Sequence, residues 1–180
     1  MRLKYQLMDE MQMRRTLIRM SHEIIERNRG VKGLQLIGIQ RRGVTLAEEI
    51  SQIIKTVEGL DVPVGVLDIT WYRDDLSLVT EHPCIKGTDI PFNITDTDVI
   101  LVDDVLYTGR TVRAAIDALI EMGRPKSIQL AVLIDRGNRE LPIGADFVGK
   151  DVPTSKDELI SVSVKEIDGE NRVDIYSLKD

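Results

Sequence analysis

Hydrophobic positions in residues 9–28 recur every three or four places, with Met13, Leu17, Met20 and Ile24 on one face, and predict an amphipathic helix. Short apolar runs at residues 34–39, 62–69, 99–102 and 128–134 read as buried strands. Residues 44–57 carry a helical pattern, as does the stretch through Ala115, Ile116, Leu119 and Ile120, which Gly123 and Pro125 help close. Residues 159–164 and 173–176 read as short closing strands, and residues 71–93 and 135–153 as loops. The first of these loops is long for a compact domain, as lids and binding loops often are. Strands alternating with helices predict a doubly wound, mostly parallel α/β sheet in one domain spanning residues 1–180, with ligands beyond the carboxyl ends of the strands.

A chain of 180 residues can bury a core without staples, and 42% hydrophobic with 30% charged residues fits a globular protein. No apolar run has the length of a membrane span and the start Met1-Arg2-Leu3-Lys4 lacks a secretory pattern, so a cytoplasmic location is expected. One cysteine, Cys84, excludes an internal disulfide, and two histidines give no zinc-type cluster. The net charge of −6 disfavours non-specific nucleic-acid binding while leaving room for a local basic patch.

The densest chemistry lies in residues 99–115, where the apolar run ends at Asp103-Asp104 and a small polar loop, Thr108-Gly109-Arg110-Thr111, leads into a helix. Adjacent carboxylates at a strand end suit a divalent cation or vicinal sugar hydroxyls. Backbone N–H groups, two hydroxyls and the positive end of a helix suit a phosphate, and Gly109 permits close approach. The combination describes a ribose carrying a 5-phosphate; the plainer reading is an acidic surface turn before a helix. Neither a G-x-x-x-x-G-K-[ST] loop nor a G-x-G-x-x-G turn is present, which counts against an NTPase and a dinucleotide dehydrogenase. Turns at residues 40–43, 103–111 and 135–139 follow three strands and are expected to converge on one crevice.

This segment resembles the phosphoribosyl-diphosphate signature of type I phosphoribosyltransferases. The wider chain is similar to the family of bifunctional regulators of pyrimidine operon attenuation with uracil phosphoribosyltransferase activity. Residues 22–28, 68–76, 109–115, 135–137, 139–143, 148–150 and 153–155 carry that resemblance. It implies the type I phosphoribosyltransferase fold with a small hood and a flexible flap, and a reaction of uracil with phosphoribosyl diphosphate that yields UMP. Mg²⁺ would arrive with the diphosphate, with no dedicated protein metal site. Asp103, Asp104 and Arg42 would be catalytic, the two aspartates holding ribose hydroxyls and Arg41 and Arg42 the diphosphate. Val105, Leu106, Tyr107, Thr108, Gly109, Arg110 and Thr111 would line the phosphoribosyl site. Arg136 and the backbone near Ile160 would read the base, and Tyr72 and Arg73 would close as a flap.

The resemblance further implies UMP-dependent binding of pyrimidine leader mRNA on a basic face with Arg19, His22, Arg139 and Lys150, by a homodimer or higher homo-oligomer. Ile18, Asn138 and Gly144 stand where relatives often carry threonine, histidine and arginine, and Arg41 where they often carry threonine. Two other readings compete: a purine phosphoribosyltransferase of the same fold, and a nucleotide-sensing paralogue with impaired RNA binding or catalysis.

Overall fold

The computed structural model describes residues 1–70 and 87–179. In chain order the elements are β1 (Arg2–Met8), α1 (Glu10–Arg27), β2 (Leu34–Ile39), α2 (Arg42–Glu58), β3 (Val64–Leu67), β4 (Asp98–Leu106), α3 (Arg110–Met122), β5 (Ser127–Asp135), β6 (Phe147–Asp151), β7 (Glu158–Ser163), α4 (Lys165–Asp168) and β8 (Arg172–Ser177). Five strands form a parallel sheet in the order β3-β2-β4-β5-β6, and β1-β8-β7 form a small antiparallel sheet. The fold is the expected α/β architecture with a hood, built from the small sheet and α4.

Strand alternation sorts the core into two layers. Leu36, Ile100, Val102, Ala131 and Leu133 pack on the side of α1 and α2, in a cluster that continues into the hood through Ile160, Val162, Val173 and Ile175. Ile37, Ile39, Val99, Leu101, Leu130 and Val132 pack with Val112, Ala115, Ala118 and Leu119 of α3. Helix α1 buries Met13, Leu17, Met20 and Ile24, as its periodicity predicts. It starts at a capping box, with the Asp9 carboxylate accepting from the Gln12 N–H at 2.7 Å and the Gln12 side chain accepting from the Asp9 N–H at 2.9 Å.

Three elements depart from the pattern-based expectation. β1 occupies a charged start in which only Met8 is buried, and it pairs antiparallel with β8 at the hood's edge. β6 lies inside the stretch expected as loop and buries only Phe147. β4 does not stop at Val102: it continues through Asp103 and Asp104 to Leu106, because the parallel pairing with β5 continues to Asp135. The acid pair therefore sits within a strand rather than in a turn.

Candidate functional site

The carboxyl ends of β2, β4 and β5 converge, and two glycines set how closely. A Cβ on Gly43 would lie 2.4 Å from the carbonyl oxygen of Val102 and 3.2 Å from Cα of Asp103; one on Gly38 would lie 2.4 Å from Cα of Val44. The first turn of α2 therefore rests directly on β2 and β4, which only a residue without a side chain allows. The turn before it contains a cis peptide between Gln40 and Arg41. The seating of Gly43 brings the backbone of that turn, which carries Arg41 and Arg42, against the strand that carries the acid pair.

Asp103 is 7% exposed. Burial, with the charge of Asp104 beside it, pushes its carboxyl well above the ordinary value. Its Oδ1 accepts from the Asp104 N–H at 2.9 Å, and Asp104 Oδ1 accepts from the Val105 N–H at 2.8 Å. Asp104 is half-buried and remains open to a ligand. The accessible Asp104 carboxylate offers an acceptor for neighbouring hydroxyls.

Beyond β4 the chain turns at Gly109, whose φ of 94° is left-handed, and enters α3. Leu106 is buried in the core, whereas Val105, Tyr107, Thr108 and Thr111 are half-buried and Arg110 is exposed. Residues 139–143 brace this loop from the side. The Thr108 carbonyl accepts from the N–H groups of Glu140 and Leu141 at 2.9 and 3.2 Å, and Arg110 pairs with Glu140 at 2.8 Å. Arg139 donates to the carbonyls of Tyr107 and Ile143, each at 2.8 Å, and ion-pairs with Asp135. The Arg139 guanidinium thus holds the loop and the end of β5 together. The first turn of α3 has N–H groups without intrahelical partners, which suits an anion.

Arg136 is 5% exposed and stacks 4.1 Å over the Tyr107 ring. It donates to Thr154 Oγ1 at 2.9 Å and to the carbonyls of Ser155 and Glu158 at 3.2 and 2.7 Å. It therefore ties the end of β5 to the loop that opens the hood. Ile160 lies in β7 opposite Ile175, with its side chain in the core. Only its backbone can meet a ligand. The sequence reading missed Thr154 and Asp168. Asp168 engages Arg42 by a two-point ion pair, and a lone aspartate in a polar stretch carries no signal for such a contact. Tyr72 and Arg73 lie outside the described residues.

On the opposite flank α1 packs against β6 across Gly149, where a Cβ would lie 2.3 Å from the Leu133 carbonyl oxygen. Arg19 donates to the carbonyls of Val148 and Gly149 at 3.2 and 2.5 Å and pairs with Glu23 at 2.6 Å. His22, on the same helix, and Lys150, on β6, are exposed. Arg19 thus reaches the strand residue just before Lys150, and His22 lies about one turn further along α1. A cavity of about 670 Å³ lies elsewhere, between α1, α2 and the hood, lined by Glu10, Arg14, Glu48, Glu49 and Glu166 among others. The acid pair and phosphate loop do not border it.

Among the described residues no three His, Cys, Asp or Glu side chains gather as a metal site. Asp104 offers one accessible carboxylate. That donor set fits a cation that takes most of its ligands from a diphosphate and water.

The sheet order, hood, acid pair and loop define a phosphoribosyltransferase, and a family model described as phosphoribosyl transferase domain matches residues 5–167. The chain belongs to that family and, within it, to the group named bifunctional protein PyrR. It is 62% identical to the protein of that name from Caldicellulosiruptor bescii, over 96% of this chain and 95% of the relative. The Acetivibrio thermocellus protein is 63% identical over 98% and 96%, and that of Thermus aquaticus 58% over 98% and 97%. Among solved structures it shares the fold of a hypoxanthine phosphoribosyltransferase from Trypanosoma cruzi, with TM-score 0.73, 16% identity and 97% of each chain covered. A hypoxanthine-guanine phosphoribosyltransferase from Bacillus anthracis aligns with TM-score 0.71 and 21% identity, over 97% of this chain and 98% of that one.

Proposed function

We propose that this single-domain protein transfers the phosphoribosyl group of phosphoribosyl diphosphate to uracil, giving UMP. With UMP bound, it attaches as a homo-oligomer to the leader mRNA of a pyrimidine operon in the cytoplasm and favours termination. The observation that carries the reading is the abutment of the first turn of α2 on the acid pair of β4, with the phosphate loop at the end of the same strand. The similarity to proteins named PyrR over nearly the whole chain supports the pyrimidine assignment over the purine one, since the purine enzymes share only the fold.

In the reaction N1 of uracil, giving up its proton to solvent, bonds to the anomeric carbon as the bond to the diphosphate oxygen breaks and diphosphate leaves. Positive charge grows on the ribose, and the site contributes mainly alignment and electrostatics. Asp103 and Asp104 hold the ribose hydroxyls. The loop from Val105 to Thr111 holds the 5-phosphate, its backbone stiffened by Arg139. Arg41 and Arg42 receive the leaving diphosphate, whose charge Mg²⁺ offsets when bound. Arg136 sets the hood loop so that backbone groups near Ile160 meet the uracil edge, and Tyr72 and Arg73 belong to the flap. Arg19, His22 and Lys150 contact RNA phosphates.

Incubation with phosphoribosyl diphosphate, Mg²⁺ and each of uracil, hypoxanthine and guanine, read by chromatography, tests the reaction. UMP is expected from uracil alone, and Asp104→Asn is expected to lower turnover by about a hundredfold while the protein stays folded. Nucleotide formed from a purine, or full turnover by the variant, would overturn the assignment.

A further inference from the structure

Arg42 does not stand alone at the mouth of the site. Its Nε donates to Asp168 Oδ2 at 3.0 Å and its Nη2 to Asp168 Oδ1 at 2.8 Å, across 126 residues of chain. The aspartate is itself mounted rigidly. Its Oδ2 also accepts from the Val164 N–H at 2.9 Å, while its own N–H donates to the Val164 carbonyl at 2.7 Å. Helix α4 is closed at one end by Gly169 N–H to the Lys165 carbonyl at 3.0 Å, and at the other by Asn171 Oδ1 accepting the Lys165 N–H at 2.8 Å. Ile167 packs against the main core.

On its other side Arg42 belongs to the turn that Gly43 seats on Val102 and Asp103. Both ends of the pair are therefore fixed to different parts of the fold. The two side chains retain 37% and 22% exposure, so water screens the pair and its net contribution to stability is small. What a two-point fork adds is orientation. Two of the three guanidinium nitrogens face the carboxylate, which leaves Nη1 with its two N–H groups for a second anion.

We infer that Asp168 is a positioning residue for phosphoribosyl diphosphate: by gripping the Nε and Nη2 edge of Arg42 it presents Nη1 to the diphosphate and couples the hood to the diphosphate loop. This rests on the reading of Arg42 as a diphosphate ligand. The rival arrangement is a latch, in which Asp168 occupies Arg42 until the diphosphate displaces it.

Calorimetric titration with magnesium phosphoribosyl diphosphate, together with steady-state kinetics, separates them. Asp168→Ala is expected to raise both Kd and KM for phosphoribosyl diphosphate about tenfold with KM for uracil unchanged, and to lower the unfolding midpoint by a few degrees through loss of the acceptor for the Val164 N–H. Asp168→Glu, which keeps the carboxylate, is expected to recover most of the loss, and Asp168→Asn part of it. The double variant with Arg42→Ala is expected to bind no more weakly than Arg42→Ala alone, because both changes remove one interaction. Tighter binding by Asp168→Ala overturns the inference and favours the latch; full additivity in the double variant overturns it too. Wild-type protein that fails to bind phosphoribosyl diphosphate overturns the proposed function and this inference together, whereas normal wild-type binding with an unaffected Asp168→Ala removes this inference alone.

Discussion

Asp103 carries the cost of the site in one side chain. It is buried beside another carboxylate, and its carboxyl is held well above its ordinary value of 3.8. A group whose folded value is raised contributes stability that is fully present below the unfolded value and is lost as pH rises through the folded one. Asp103→Asn keeps an acceptor for the Asp104 N–H but cannot ionise. It is therefore expected to raise the unfolding midpoint at neutral pH, by about 2–4 °C for each kcal/mol relieved in a chain of this size, and to lower UMP formation. Thermal scans of both proteins from pH 5 to pH 8 check this: the gap is expected to widen as pH rises, and a variant that melts lower throughout would refute it. Asp103, Asp104, Arg42 and residues 108–111 were legible because an apolar run breaks abruptly into charge and small polar residues. The partners of Arg136, Arg139 and Arg42 were not, since Thr154, the carbonyls of Tyr107 and Ile143, and Asp168 are brought to them by tertiary packing.

The seating of α2 on β4 decides the site at the level of elements. The helical and strand periods announced both elements, but not that the first turn of one would touch the other. That contact depends on what is absent at position 43. A methyl group there would meet the Val102 carbonyl oxygen at 2.4 Å, and backbone on both sides leaves little room to yield. Gly43→Ala is expected to destabilise by about 1–3 kcal/mol through overpacking and to move Arg41 and Arg42 away from the acid pair. Kinetics are expected to show a raised KM for phosphoribosyl diphosphate with a smaller change for uracil; an unchanged KM would show that the close approach serves packing alone. The strands that periodicity missed share a cause. β1 and β6 are edge strands that bury only Met8 and Phe147 respectively, so neither displays the apolar alternation of a half-buried strand. The reach of β4 through the acid pair is hidden for a related reason: backbone pairing with β5 outlasts the apolar run, and sequence displays side chains rather than ladders.

For the molecule as a whole the difficulty is charge. A protein of net charge −6 repels a polyanion at long range, so RNA binding must come from a local patch and be sensitive to salt. On the proposed reading Arg19, His22 and Lys150 would supply that patch, with α1 packed on β6, and a homodimer would bring two such patches to one RNA. Lys150 is exposed and lies outside the phosphoribosyl site, so Lys150→Ala is expected to leave UMP formation unchanged. It is expected to lower the slope of log K against log salt by about one unit. Gly144 offers the reverse experiment. It precedes β6, is exposed, and a Cβ there meets nothing within 4 Å, so a side chain can start from it without a clash. Gly144→Arg adds a cation on the exposed stretch that leads into β6. It is expected to tighten UMP-dependent binding of leader RNA and to raise the salt slope by about one unit, as gel-shift titrations at several salt concentrations would reveal. Tightening without UMP as well would mark a non-specific gain in charge, whereas unchanged affinity would place the RNA on a different face of the molecule.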